Sequence, residues 1–222
     1  DQVGIVARVS SFIAQQGGSI TEASQHSDLE TGRFFMRYEI LADSLGMSAE
    51  ALRSAFEPVA AEFDMQWSLV DTEKRRRVVL MVSRESHCLV DLLYRWQAGE
   101  LDCDIVGVIS NHDDMRSLTE WYGIPYHHVP VDPANKQLAF DQVQERIDAA
   151  RADCVVLARY MQILPPSLCE RYAGRVINIH HSFLPSFAGA KPYHQAYERG
   201  VKLIGATCHY VTEELDAGPI IE

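Results

Sequence analysis

Apolar residues in the first part of the chain recur at spacings that predict a helix followed by two strands. Between residues 4 and 16 they fall on one helical face, and the glycines at 17 and 18 end this pattern. Residues 18–27 and 33–42 each have the composition of a strand, and the polar turn between them predicts a hairpin.

The pattern then predicts a second helix and a third strand. Ser48 is expected to cap a helix whose inward face is apolar, formed by Ala51, Leu52, Ala55, Phe56 and Val59. Residues 65–70 alternate between apolar and polar side chains, which is typical of a half-buried strand. With one further strand ahead of Asp1, the order is βαββαβ, the ferredoxin-like arrangement.

The periodicity changes at a short charged joint, residues 73–77, and we place a domain boundary there. This divides the chain into domains of residues 1–73 and 74–222. Beyond the joint, helical stretches separate short β-branched runs at 78–82, 105–109 and 155–158. This alternation predicts βαβ units in a Rossmann-like, mainly parallel sheet, where ligands bind beyond the carboxyl ends of the strands.

Three polar side chains collect near the end of a further predicted strand, residues 175–179. Asn178 and His180 are two residues apart, so alternation turns both to the same face, and Asp216 follows in a turn-rich segment. An amide donor, an imidazole and a carboxylate suit attack on an acyl carbon, because they stabilise an oxyanion, transfer a proton and hold a water. The alternative is a structural hydrogen-bonded pair.

Composition narrows the classes of function that remain open. The net charge is −11, with −8 in residues 1–73 and −3 in residues 74–222, which argues against a nucleic-acid surface. No apolar run reaches the roughly 20 residues that span a bilayer. The five cysteines form no C-x-x-C pair, which predicts free thiols in a reducing cytoplasm.

A serine hydrolase and a metal site are the two other kinds of site that the residues near His180 suggest. His181 and Ser182 are adjacent, but no Gly-x-Ser-x-Gly elbow is present, so a serine hydrolase is rejected. The nine histidines include adjacent pairs rather than pairs at i, i+4, and no cysteine stands at ligand spacing. We therefore expect no metal ion.

The stretch from residue 175 to 221 closely resembles the folate-dependent formyltransferase fold. The matching positions are Asn178, His180, Ser182 to Phe187, Gly200 to Lys202, Gly205, Thr207, His209, Asp216 and Gly218 to Ile221. The resemblance implies that Asn178, His180 and Asp216 are catalytic. It also implies a 10-formyltetrahydrofolate substrate, no separate cofactor, and substrate binding by Met161, Gln162, Ile163, Leu164, His209 and Gly218. For His209 a buried structural role is an equal alternative.

The loop after the first strand of this domain distinguishes among members of that fold. Glycinamide ribonucleotide transformylases have a glycine-rich phosphate loop there, whereas residues 83–88 contain no glycine and include Glu85. Without glycine the backbone cannot readily wrap a phosphate, and a carboxylate repels it. The acidic balance disfavours methionyl-tRNA formyltransferase. Water is left as the expected acceptor.

The first domain resembles an ACT module, which commonly binds small amino acids and pairs with copies of itself. Residues 1–7 and the inferred βαββαβ order carry this resemblance, and it implies an effector site at Asp1 and Gly4 and a homo-oligomer. A purely oligomerising module is the alternative. The chain begins at a helix and stops inside an apparent strand, so we expect it to be shortened at both ends, with part of the catalytic domain absent.

The ACT-like and formyltransferase-like parts together resemble the formyltetrahydrofolate deformylase family. Residues 31–37, 87–89, 107–113 and 191–200 look like that family in particular. The resemblance implies hydrolysis of 10-formyltetrahydrofolate to tetrahydrofolate and formate, supplying formate for purine synthesis and balancing the one-carbon folate pool. A formyltransferase with an amine acceptor and a catalytically silent folate or amino-acid sensor remain alternatives. We expect no nucleic-acid or membrane partner.

Overall fold

The computed structural model describes residues 2–189 and 191–222, and the chain divides into two compact units. The amino-terminal unit is Asp1–Lys74 and the carboxyl-terminal unit is Arg75–Glu222. Among the described residues, no helix has the length and apolar character needed to cross a membrane.

The amino-terminal unit consists of two helices and a two-stranded antiparallel sheet. Its elements are α1 (Ile5–Gln15), β1 (Ser19–Asp28), β2 (Arg33–Leu41), a 3-10 turn (Ala42–Ser44) and α2 (Ala49–Glu62). The side chain of Ser48 caps α2, as the sequence predicts, by accepting a hydrogen bond from the amide of Ala51 at 3.2 Å. Val9, Phe12 and Ile13 of α1 form the core with Leu52 and Val59 of α2.

The strand predicted at residues 65–70 is not formed, so that prediction is wrong. The alternation in burial is present, because Met65, Trp67 and Leu69 are half-buried and the residues between them are exposed. Trp67 packs edge-on against Phe56, with ring centroids 4.8 Å apart. A strand also requires a hydrogen-bonded neighbour, and the described sheet of this unit contains only β1 and β2. The described order is therefore αββα, and the first strand of the predicted βαββαβ order was placed ahead of Asp1, outside this sequence.

The carboxyl-terminal unit has a six-stranded, mainly parallel sheet, and the predicted α/β architecture is confirmed. Its order is β5-β4-β3-β6-β7-β8, and only the β7–β8 pair is antiparallel. The strands are β3 (Arg76–Val82), β4 (Cys103–Ser110), β5 (Tyr126–His128), β6 (Cys154–Leu157), β7 (Val176–His180) and β8 (Thr207–Tyr210).

Helices cover both faces of this sheet, which explains the continuous burial of its central strand. The helices are α3 (His87–Gln97), α4 (Arg116–Trp121), α5 (Lys136–Ala149), α6 (Pro166–Arg171) and α7 (Pro192–Glu198). Val79 and Met81 of β3 pack in a cluster with residues of α5 and α6, whereas Leu80 and Val82 pack with residues of α3. Since both faces are buried, β3 is apolar throughout its second half rather than alternating.

The strand order places a topological switch point between β3 and β6. From β3 the chain runs outward through β4 and β5, and it then returns to the opposite side of β3 to form β6, β7 and β8. A crevice opens at such a point beyond the carboxyl ends of the strands, and ligands bind in it. A ligand site is therefore expected among the residues that follow β3, β6 and β7.

Candidate active site

The paired strands β7 and β8 bring the predicted amide and imidazole to the carboxyl edge of the sheet. Asn178 lies opposite His209 and His180 lies opposite Thr207 in the antiparallel register. His180 is buried, and Asn178 is half-buried. Their separation by two residues on a strand explains why both belong to the same site.

His209 lies behind Asn178 and fixes the orientation of its amide. The Nδ1 atom of His209 is 2.9 Å from the carbonyl oxygen of Tyr210, so this nitrogen must carry the proton. Its Nε2 atom then accepts a hydrogen bond from Nδ2 of Asn178 at 3.1 Å. The His209 side chain is 2% exposed, and its Nε2 also lies 3.8 Å from Oδ1 of Asp216, so its influence on a substrate would pass through Asn178 and Asp216.

A sharply folded segment after β8 returns Asp216 to the same place. Asp216 has a φ of 57°, in the left-handed region, and its side chain is only 7% exposed. One carboxylate oxygen accepts a hydrogen bond from the amide of Gly189 at 2.9 Å. Gly218 permits the fold, because a Cβ there would lie 1.8 Å from the carbonyl oxygen of Tyr210.

The imidazole of His180 is anchored on one side and faces Asp216 on the other. Its Nε2 atom donates to the carbonyl oxygen of Phe187 at 2.9 Å, and the same oxygen accepts from the hydroxyl of Ser182 at 3.0 Å. Its Nδ1 atom lies 3.5 Å from Oδ2 of Asp216. Since Nε2 is held by a carbonyl, Nδ1 is the edge of the ring that is available for proton transfer.

The residues predicted to hold the folate ring follow β6 at the switch point. The side chains of Met161 and Ile163 are exposed, Gln162 is half-buried and Leu164 is buried. The amide of Met161 donates to the hydroxyl of Ser83 at 2.9 Å, and this hydroxyl donates to Oδ1 of Asn111 at 2.6 Å. These two bonds join the ends of β3, β4 and β6 at the base of the crevice.

Sequence analysis missed three contributors to this edge of the sheet. Ser83 and Asn111 are buried polar residues that directly follow apolar strands, and this position was the signal that could have identified them. His181 lies next to His180, with ring centroids 5.5 Å apart, and its Nδ1 is 3.0 Å from Nη1 of Arg159. Burial lowers the pKa of His181, the charges of Arg159 and His180 lower it further, and Asp216 opposes them.

The predicted effector residues lie at the start of the amino-terminal unit. Gly4 precedes α1 with a φ of 95°, a conformation that favours glycine. No atom lies within 4 Å of the position that a Cβ would occupy there. Asp1 lies outside the described residues. No cluster of three or more His, Cys, Asp or Glu side chains in the described ranges could hold a metal ion.

The arrangement can support attack on an acyl carbon. Asn178 has one amide hydrogen committed to His209, so its second hydrogen is available to a developing oxyanion. His180 and Asp216 face each other closely enough to share a proton with a reacting group. A proton shuttle and an oxyanion donor thus lie on adjacent positions of one strand face.

The chain is similar in sequence to the formyl transferases. A family model described as "Formyl transferase" matches residues 76–222. The formyltetrahydrofolate deformylase of Corynebacterium sp. (strain P-1) is 52% identical over 219 residues, which cover 99% of this chain and 77% of that protein. The formyltetrahydrofolate deformylase of Bacillus subtilis (strain 168) is 48% identical over 226 residues, which cover 100% of this chain and 74% of that protein.

Solved structures give the same relationship at the level of the fold. A formyltetrahydrofolate deformylase from Pseudomonas syringae pv. tomato str. DC3000 matches with a TM-score of 0.97 and 66% identity, over 100% of this chain and 74% of that chain. A phosphoribosylglycinamide formyltransferase from Anaplasma phagocytophilum matches with a TM-score of 0.60 and 37% identity, over 67% of this chain and 70% of that chain. The match to the deformylase thus extends over the whole chain.

Proposed function

This chain belongs to the formyltetrahydrofolate deformylase family, and we propose that it hydrolyses 10-formyltetrahydrofolate through Asn178, His180 and Asp216. The observation that carries this proposal is the pairing of His180 with Asp216 beside an amide whose free hydrogen is oriented by His209. The products are tetrahydrofolate and formate, and no separate cofactor takes part.

The attacking water is activated by the His180–Asp216 pair. A water bound to the Asp216 carboxylate adds to the formyl carbon and gives its proton to this pair. The negative charge that develops on the formyl oxygen is stabilised by the free amide hydrogen of Asn178 and by His180 in its protonated form. Collapse of the tetrahedral intermediate breaks the bond to N10, and the pair returns a proton to that nitrogen.

The apolar surface beside the crevice supports a role in holding the pterin ring. The side chains of Met161 and Ile163 are 57% and 70% exposed, and Leu215, which precedes Asp216, is 53% exposed. Apolar side chains of this kind bind a flat ring, and nearby backbone groups orient it by hydrogen bonds. His209 and Gly218 then contribute indirectly, by positioning Asn178 and Asp216.

Water rather than an amine is proposed as the acceptor. The experiment compares formate release and formyl transfer by the full-length protein, with and without glycinamide ribonucleotide or another primary amine. The expected result is one formate per tetrahydrofolate, unchanged by the amine. A stable formyl-amine product that forms faster than formate would establish a transferase, and tight folate binding with neither product would establish a sensor.

For the amino-terminal unit we propose an ACT-like role in assembly and regulation. Each strand of its sheet has an outer edge with no strand partner in the described part of the chain, and such edges pair readily with a second copy. The open backbone at Gly4 supports an amino-acid site at the start of α1. Light scattering and a titration with small amino acids test the two parts separately, and a monomer that binds none of them contradicts both.

The proposed setting is the cytoplasm, where formate enters purine synthesis and the folate pool is balanced. All five cysteines are free, which suits a reducing compartment. A purine requirement in cells that lack the protein, relieved by added formate, is the expected result. Growth independent of formate would contradict this role.

A further inference from the structure

An arginine with an unusual backbone conformation follows β6 at the switch point. Arg159 has a φ of 66°, in the left-handed region that only glycine enters without steric cost. Strain of this kind persists where the surrounding contacts hold it, and it concentrates at functional sites. The residue is half-buried, so its side chain is directed into the protein rather than into bulk water.

The guanidinium of Arg159 has no ion pair with a carboxylate in the part of the chain that the structure describes. Within the described ranges its guanidinium has one hydrogen bond, from Nη1 to Nδ1 of His181 at 3.0 Å. Its Nε atom is buried and has no hydrogen-bond partner in the described ranges. No ion pair joins Arg159 to a carboxylate within 4.0 Å among those residues, although the exposed arginines 95, 116 and 171 all have such pairs. A guanidinium without a carboxylate partner keeps donors that can bind an anion.

The cation lies next to the catalytic pair. Arg159 contacts His181, and the His181 ring is stacked at a tilt 5.5 Å from the ring of His180. On its other side the Arg159 charge reaches Cys88 near the start of α3, where it opposes the rise in the pKa of this thiol that burial causes.

The products of the two possible reactions differ in charge. Transfer of a formyl group to an amine gives a neutral amide. Hydrolysis joins a water oxygen to the formyl carbon, breaks the bond to N10 and delivers one proton of the water to that nitrogen. The other product is formic acid, which loses its one acidic proton and becomes the formate anion. A hydrolase of this kind therefore benefits from a cation beside the site, whereas a transferase has no use for it at that step.

We propose that Arg159, held in place by His181, is a carboxylate subsite that receives the formate released at His180. This inference rests on the proposed hydrolysis. The two Nη groups of the guanidinium can present parallel hydrogens to the two oxygens of one carboxylate, which is the geometry of a bidentate pair, while the buried Nε lies behind them. His181 takes one Nη1 hydrogen and thereby holds the guanidinium one residue away from His180.

The test measures formate binding directly and does not depend on turnover. Line broadening of ¹³C-formate is titrated with the full-length wild-type protein, Arg159→Gln, Arg159→Lys and, as a matched control, Arg95→Gln. Loss of a charge-assisted bidentate pair is expected to weaken formate binding about tenfold or more in Arg159→Gln. Arg159→Lys keeps the charge without the fork and should fall between, and Arg95→Gln should match the wild type.

Several results would overturn the subsite. One is equal formate affinity in the wild type and a folded Arg159→Gln protein. Another is the absence of saturable formate binding by the wild type, a result that does not depend on whether the variant folds. A third is a variant that binds formate normally but whose KM rises only for substrates with a long glutamate tail, because Arg159 would then bind the tail. A wild-type protein that binds formate through Arg159 yet releases none from the folate would refute the hydrolysis instead.

Discussion

The Nε2 atom of His209 lies 3.1 Å from the amide nitrogen of Asn178, across the antiparallel pair β7–β8. Nδ1 of His209 donates to the carbonyl of Tyr210, so in the neutral imidazole Nε2 is the acceptor for the Asn178 amide. This relationship turns the Asn178 carbonyl away from His209 and leaves one N–H for the substrate. A buried histidine thus selects between the two amide orientations that the strand alone would allow.

Removal of His209 should slow turnover without preventing folate binding. His209→Ala frees the Asn178 amide to rotate, and loss of a hydrogen bond worth about 1 kcal/mol predicts a roughly fivefold to tenfold lower kcat with a nearly unchanged KM. His209→Gln retains an acceptor and should recover part of this loss. A folded His209→Ala protein with full kcat, measured by steady-state kinetics, would contradict the positioning role.

Asp216 should be necessary for the chemical step. Asp216→Asn keeps the size of the side chain and an oxygen for the Gly189 amide, but it removes the charge that faces His180. We expect kcat to fall by at least about a hundredfold, because general acid–base catalysis contributes roughly 10²–10⁴-fold. Asp104→Asn, an exposed change on β4, is the control. Comparable kcat values for the two variants would remove Asp216 from the mechanism.

A side chain at Gly218 should lower both the thermal stability of the protein and its activity. A methyl group at this position would lie 1.8 Å from the Tyr210 carbonyl oxygen, so Gly218→Ala must displace the segment that carries Asp216. Thermal unfolding is expected at a lower temperature, and kcat should fall together with it. Gly107→Ala is the matched control, because its nearest atoms, in His127 and Pro125, are at an ordinary 3.8 Å. Equal melting temperatures and equal kcat values for the two variants would show that the segment tolerates the change.

The lowered pKa of His181 makes the folded state less stable in acid. Its cause is burial first and the charge of Arg159 second, so the unfolded chain binds a proton more readily than the folded protein does. The free energy of unfolding therefore rises with pH between the lowered pKa and the ordinary value of about 6.5. The contribution of His181 to stability is lost as the pH falls through that window.

His181→Gln should remove this part of the pH dependence. Urea unfolding of the wild type and the variant at several pH values gives the difference between their free energies of unfolding. This difference should shift in favour of the variant as the pH falls below about 6.5. His127 has a pKa lowered in the same direction, but it is present in both proteins and cancels. A difference that is constant with pH would contradict the assignment.

The sequence predicts those parts of the fold in which local periodicity and burial coincide. The central strands are apolar runs because both of their faces are covered, and the two-residue spacing of Asn178 and His180 already places them on one face. Residues 65–70 show the limit of this reasoning. Their alternation records a half-buried face correctly, but it cannot reveal whether a neighbouring strand is available for hydrogen bonding.

The parts of the site that could not be predicted from the sequence depend on contacts between residues that are far apart in the chain. The approach of Asp216 to His180 depends on a turn fixed by the steric demand of Gly218 and by the amide of Gly189, and neither leaves a periodic signal. The short strand β5 has only three residues, too few for a period to be recognised. In sequence Arg159 is one of several basic residues that could contact the folate tail or the rim of the site, and its φ and its buried Nε distinguish it in the structure.

The most direct test of the proposed site is formate release from 10-formyltetrahydrofolate without any amine acceptor. The full-length wild-type protein is compared with Asn178→Ala and His180→Ala, and folding and folate binding are measured for each. The account predicts stoichiometric formate and tetrahydrofolate from the wild type and rates at least about a hundredfold lower in both variants. Near-full release by a folded His180→Ala protein would contradict it.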